Sequence, residues 1–295
     1  MQGIGIHALV WFDNPTQPGL EMALENSAEL GFDMIEIPNL DPADVDVDGI
    51  AKRARDLGLR ITVSGGMPMK ADVSSVDKDK VERGKRILLD TVALTRDFGG
   101  HDIAGVLYSG HGKFTEPPTV AGRKNAVEVI AEVADVAKDA GVTLNIEAVN
   151  RFESNLVNSA AQAVGFIQDT GSDNVRLHLD TFHMNIEEAS FGSAVRIAGP
   201  LLNYLHVGES NRGFLGTGRV DLGELFDATV DIGFDGFVTF EAFSLGLCNQ
   251  RLVDACAVWR DAWGDSRAIS THAKATIEAA YRDALRRSRA ANSLS

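Results

Sequence analysis

Glu147, Asp180, His206 and Glu241 each stand near the end of a different apolar run: TLNIEAV, VRLHLDT, NYLHVGE and FVTFEAF. Three carboxylates and one imidazole make a donor set suited to a hard divalent cation. The four are separated by 33, 26 and 35 residues, each interval the size of one strand–helix repeat. One site built from four successive strands follows from that spacing. Three acids converging without a cation would repel, and buried carboxylates are costly unless paired or coordinated. The alternative is a structural ion-pair network with Arg176, Arg212 or Arg219, yet no arginine shares the inward positions beside the acids. Mn²⁺, Mg²⁺ or Co²⁺ suits these donors, and Zn²⁺ stays open.

Such a site needs elements to hold it. A helical stretch ending in Gly, followed within a few residues by an apolar strand, recurs as ELGFDMIEI, DLGLRITVS, DAGVTLNIE and DIGFDGFVTF, at Gly31, Gly58, Gly141 and Gly233. Looser versions occur at Gly99-Gly100 and Gly171. Gly suits the left-handed residue just past a helix end. Repetition of this joint means βα units and a parallel sheet. Eight strands are expected, at 3–11, 34–38, 60–66, 103–109, 143–149, 175–181, 202–209 and 236–243. A helix over 120–140 should bury Val127, Ile130, Ala131 and Ala134. The predicted fold is α/β, a single (β/α)8 TIM barrel over about 3–250 with a C-terminal helical region over about 251–290, all one domain spanning 1–295. A doubly wound open sheet is the alternative.

Parity orients the candidates. Side chains alternate faces along a strand. Leu144 and Ile146 oppose Asn145 and Glu147; Leu177 and Leu179 oppose His178 and Asp180; Leu205 and Val207 oppose Tyr204 and His206; Val238 and Phe240 oppose Thr239 and Glu241. The wholly apolar face must meet the helices, so all four candidate ligands point into the barrel. They also lie near the carboxyl ends of their strands, where barrel enzymes keep their active sites. His178, one pleat deeper, is expected to support the site or hydrogen-bond in the core.

A metal chelated by a carbonyl and a neighbouring hydroxyl acts as a Lewis acid and stabilises the enediolate formed when the carbon between them loses its proton. Carboxylates can serve as the base. One on each side of the substrate would permit epimerisation, and strands five and eight could place Glu147 and Glu241 in that way.

The segments EAVNRFE (147–153), LDTFHMNIEEA (179–189), HVGESNRG (206–213) and GTGRVDLGELF (216–226) closely resemble the ketose 3-epimerases of D-tagatose, D-psicose (D-allulose) and L-ribulose. The likeness covers essentially the whole chain, and DPADVD (41–46) and GFLGTG (213–218) bring it closest to the L-ribulose branch. This resemblance implies a xylose-isomerase-like barrel with one divalent ion, Mn²⁺ first, held by Glu147, Asp180, His206 and Glu241. It implies C3 epimerisation of free ketoses through a metal-stabilised enediolate, with Glu147 and Glu241 as the acid/base pair. Glu153, His183 and Arg212 are implied to hold the O1–O3 end of the sugar. It also implies a homodimer or homotetramer. Two departures bear on the preferred ketose: His111 in LYSGHG stands where an aromatic is common, and so does His7 in GIHALVW. Both, with Trp11 as an apolar wall or a core residue, are weaker pocket candidates. Aldose–ketose or hydroxypyruvate isomerisation on the same metal site is the alternative chemistry.

Composition narrows the partners. The 295 residues carry a net charge of −14, which makes a phosphate backbone a poor partner. Seven His and that charge argue against a zinc-rich, apurinic-site type of nuclease. A non-catalytic sugar-binding barrel would have no use for the two glutamates. Cys248 and Cys256 fit no disulfide framework or zinc motif and are expected to be inert thiols. MQGIGIHALVW reads as a strand and not a signal peptide, and no apolar run approaches a membrane span, so the expected location is cytoplasmic. The Gly216-Thr217-Gly218 segment is better explained as a tight turn, with Asp221 capping the next helix, than as a phosphate cradle.

Overall fold

The computed structural model describes residues 1–293. Its centre is a closed barrel of eight parallel strands in sequential order. These are β1 (Gly3–His7), β2 (Met34–Pro38), β3 (Arg60–Met67), β4 (Asp102–Gly110), β5 (Thr143–Ala148), β6 (Val175–Asp180), β7 (Leu202–Val207) and β8 (Phe237–Phe240). The ring closes where β1 pairs with β8, Ile4 opposite Val238. Around it run α1 (Gln17–Glu29), α2 (Val47–Asp56), α3 (Lys78–Asp97), α4 (Val120–Asp139), α5 (Ala160–Thr170), α6 (Thr181–Glu187), α7 (Phe191–Ala198) and α8 (Leu222–Asp231), followed by α9 (Gln250–Cys256) and α10 (Ser266–Asn292).

Local chemistry sets the turns at both ends of the repeat. The Gly31, Gly58, Gly141 and Gly233 joints all take positive φ, from +67 to +75°. A side chain there would be strained, and the glycine lets the chain leave the helix and enter the strand. Helices begin on oxygen caps: Thr16, Asp46, Thr119, Ser159 and Asp221 each accept a backbone N–H of the first turn. Each such cap is worth about 1 kcal/mol.

The apolar core fills the space between sheet and helices, with Ile35, Ile37, Leu144, Leu177, Leu205, Val238 and Phe240 turned outward into it. Inside the barrel, Met34, Ala104, Tyr204 and Phe237 form a separate apolar plug. That plug is the floor on which the polar residues above it stand.

Three expectations need correction. β1 stops at His7 instead of running to residue 11, because the chain tightens into a 3-10 turn, Ala8–Val10, whose first amide donors include Leu9 N–H to His7 Nδ1. α4 buries Ala126, Val129, Ile130, Val133, Ala134 and Ala137, while Val127 and Ala131 are only half-buried. The buried stripe is therefore turned one residue from the expected face. The C-terminal region is not continuous helix. α9 ends at Ala257, a left-handed residue with φ +53°, and α10 starts at Ser266 behind its Asp265 cap.

Candidate metal centre and substrate pocket

Glu147 on β5, Asp180 at the end of β6, His206 on β7 and Glu241 just past β8 all turn inward at the carboxyl rim. Register places Asp180 opposite His206 and Glu147 opposite His178. Ligating atoms of Asp180, His206 and Glu241 lie within 4.8 Å of one another, as do those of Glu147, Asp180 and His183, and those of Glu147, His178 and His206. The four sequence candidates thus belong to overlapping groups about shared atoms.

His206 is held by a residue that the sequence reading passed over. Glu36 on β2 is fully buried, and its Oε2 lies 2.7 Å from His206 Nε2 and accepts a hydrogen bond from the Tyr204 hydroxyl at 2.6 Å. A carboxylate at Nε2 holds a proton there and makes Nδ1 the nitrogen that a cation would take, on release of its proton. His206 Nδ1 is buried and, among the described residues, has no hydrogen-bond partner. Burial works against the imidazolium, but Glu36 and Glu241 outweigh it and push His206 up to about 10. The signal for Glu36 was present: in MIEIP, Ile35 and Ile37 face outward, so Glu36 shares the inward parity of the other ligands.

The acids differ in their surroundings. Burial drives the Glu147 carboxyl well above its ordinary range, and Asp180 and Glu241 push it further against His206. Its side chain accepts no hydrogen bond among the described residues; His183 Nε2 stands 3.5 Å away and His178 Nδ1 3.9 Å. Burial also raises Glu241, but Arg212 and then His206 overturn that and hold it at about 2. Arg212 Nη1 donates to Glu241 Oε2 at 2.6 Å and to Asp180 Oδ2 at 3.3 Å. This corrects the expectation that no arginine stands beside the acids. Arg212 arrives from the loop after β7 through a left-handed backbone, φ +58°, and its guanidinium stacks over Phe182 and Phe243.

That loop has its own anchor, also missed from sequence. Glu209 is fully buried and collects the backbone N–H groups of Ser210, Gly216, Arg219 and Val220. Gly216 takes φ +83° and Asp221 caps α8, so the Gly-Thr-Gly segment is a turn folded around Glu209.

The remaining candidates meet in the cavity of about 500 Å³ above the rim, which Glu147, Glu153, His183, Arg212 and Glu241 all line. His183 sits on α6; its Nδ1 accepts from Asn150, which leaves Nε2 facing Asp180 at 3.6 Å. Burial lowers the His183 pKa, against the pull of Glu153 and Asp180. Glu153 caps no helix: it is buried and takes hydrogen bonds from Asn150 and His111. His7 stands deeper than a far-end contact, with Nε2 3.0 Å from Ser64 Oγ and 4.0 Å from Glu241. Trp11 does not reach the cavity. The 3-10 turn swings it onto α1, where its indole N–H donates to Ser27. His178 is fully buried, and neither ring nitrogen has a hydrogen-bond partner among the described residues, so it packs edge-on to His206 and supports no network.

The donor set fits a divalent ion on three counts. Among the described residues, a buried imidazole nitrogen, His206 Nδ1, has no hydrogen-bond partner, a buried carboxylate lacks a hydrogen bond, and three acids share one small volume.

A family model described as the xylose isomerase-like TIM barrel matches residues 24–267. The L-ribulose 3-epimerase of Mesorhizobium japonicum is 52% identical over 277 residues, covering 94% of this chain and 93% of that one. A solved L-ribulose 3-epimerase superposes with a TM-score of 0.97 at 49% identity, over 99% of this chain and 98% of the other. The D-allulose 3-epimerase of Methylomonas sp., solved in complex with D-allulose, gives 0.92 at 36% identity, over 95% and 97%.

Proposed function

Because the chain belongs to the xylose isomerase-like TIM barrels, and within them to the ketose 3-epimerases, we propose that it epimerises free ketoses at C3, L-ribulose foremost and D-psicose, D-fructose and D-tagatose beside it. The carrying observation is the pairing of Glu147 and Glu241 in one cavity, three strands apart around a ring of eight. Carboxyls carried three strands apart could approach a bound sugar from different sides.

Glu147, Asp180, His206 and Glu241 would hold the divalent ion, Mn²⁺ first. Bound there, it supplies Lewis acidity to adjacent ketose oxygens and so lowers the cost of ionising C3. The protein's own groups do the rest. Arg212 offers fixed donors and a positive charge at the O1–O3 end. His183 presents Nε2–H beside the same carboxylates, and Glu153 accepts a sugar hydroxyl from the loop after β5. Glu241 takes the C3 proton from one face; the Glu147 carboxyl returns a proton to the other. The opposite epimer reverses the roles, as microscopic reversibility requires. Phe243, Val149 and Leu9 line the cavity and limit water around the exposed carbanion. The reading includes a homodimer or homotetramer in the cytoplasm; among the described residues no helix is long and apolar enough to cross a membrane.

Purified protein with Mn²⁺, incubated with L-ribulose and a panel of ketohexoses, should convert each to its C3 epimer, with L-ribulose fastest. A panel left unconverted would overturn the reading, and the appearance of aldoses would replace it with aldose–ketose isomerisation.

A further inference from the structure

One group of ligating atoms in the pocket takes no part in the hard-ion centre. His111 follows β4, Glu153 lies in the loop after β5, and Cys256 closes α9; their ligating atoms lie within 4.8 Å of one another. All three line the same cavity, so an ion from solvent can reach them. Two of the three are fixed in place. His111 N–H donates to Met67 at 2.7 Å, and Gly112 N–H donates to the Glu153 carbonyl at 2.8 Å, which ties the two loops together. Asn150 occupies Glu153 Oε1 at 2.8 Å and leaves Oε2 to His111 at 2.9 Å.

The donor chemistry differs from that of the rim. Thiolate, imidazole and carboxylate are ligands that Zn²⁺ takes together, whereas a thiolate is a poor partner for Mn²⁺ or Mg²⁺. Zinc bond lengths put neighbouring tetrahedral ligands about 3.5 Å apart. Binding would draw these atoms, now within 4.8 Å of one another, about the ion and exchange the His111–Glu153 hydrogen bond for two bonds to the metal. Cys256 gives up its thiol proton to solvent as the metal–sulfur bond forms.

We propose that His111, Glu153 and Cys256 form a second metal site, selective for thiophilic ions such as Zn²⁺, whose occupation closes the sugar pocket. Glu153 would then be unable to serve a ketose and an ion together. The exclusion of sugar rests on the proposed epimerase reading; the existence of the site does not.

The test uses Co²⁺ as a spectroscopic probe and Zn²⁺ as an inhibitor. Titrating the metal-stripped protein with Co²⁺ should produce a near-ultraviolet sulfur-to-cobalt charge-transfer band in wild type and in C248S, and none in C256S or H111Q. A wild type without the band, or a C256S variant that keeps it, overturns the site. With the Mn²⁺-loaded protein, Zn²⁺ should inhibit epimerisation, less so at higher ketose concentration. In C256S, measured against its own uninhibited rate, the inhibition should need an order of magnitude more zinc. Equal sensitivity of C256S contradicts the proposal. If no ketose is turned over at all, the absorption result still decides the site while the functional reading fails alone.

Discussion

Glu36 Oε2 lies 2.7 Å from His206 Nε2, so a fully buried carboxylate on β2 orients an imidazole three strands away around the barrel, on β7. The same oxygen accepts from Tyr204, whose hydroxyl in turn accepts from Thr239. The chain of bonds makes His206 a rigid ligand with one nitrogen, Nδ1, to offer. Removing the carboxylate frees the ring to rotate and to carry its proton on either nitrogen. Glu36→Ala should weaken Mn²⁺ binding by roughly 10–100-fold, read as free Mn²⁺ by electron paramagnetic resonance during titration. An unchanged titration curve would show that Glu36 does not orient the ligand.

Arg212 is the cation that Glu241 and Asp180 see in the structure. Truncating it leaves two buried carboxylates without that partner, a loss on the order of 3–5 kcal/mol. A divalent ion supplies the missing charge. Arg212→Ala should therefore melt well below wild type in chelator, and saturating Mn²⁺ should raise its Tm by more than it raises that of wild type. Turnover should fall even with metal bound, because the substrate loses its fixed donors. Equal metal-induced shifts in Tm for the two proteins would argue that Arg212 and the ion do not share these carboxylates.

Glu153 gives the acid limb of stability a specific source. Burial alone would raise its pKa, but His183 and His111 overcome burial and hold it at about 2, below its ordinary 4.5. A depressed folded-state pKa means stability that is present above 4.5 and lost as pH falls from there through 2. The amount at stake is on the order of 3 kcal/mol. Glu153→Gln should be less stable than wild type at neutral pH, and its unfolding free energy should fall less steeply between about pH 5 and pH 3. Parallel profiles for the two proteins would remove Glu153 from the account.

Much of this is legible in the sequence. The repeated Gly joint gave the βα rhythm, and strand parity chose Glu147, Asp180, His206 and Glu241 because an apolar face must meet the helices. Glu36 obeys the same parity, but MIEIP lies far in sequence from the four ligand-bearing strands, and only closure of the barrel brings it to His206. Other features were beyond sequence reasoning. Arg212 reaches the acids only through a left-handed backbone residue, and Glu209 acquires its role from amides brought together by the loop's own fold. Trp11 left the pocket because a 3-10 turn shortened β1, and the C-terminal helix broke at Ala257, a conformation that local propensity does not favour.

The central claim is that Glu241 and Glu147 move the proton at C3. L-Ribulose incubated with the Mn²⁺-loaded enzyme in D₂O and followed by NMR tests it most directly. Wild type should incorporate deuterium at C3, in substrate and epimer alike, and leave C1 untouched. Glu241→Gln should bind Mn²⁺ more weakly and, at saturating metal, incorporate none. Deuterium at C1, or a Glu241→Gln variant exchanging C3 at the wild-type rate, would contradict the account.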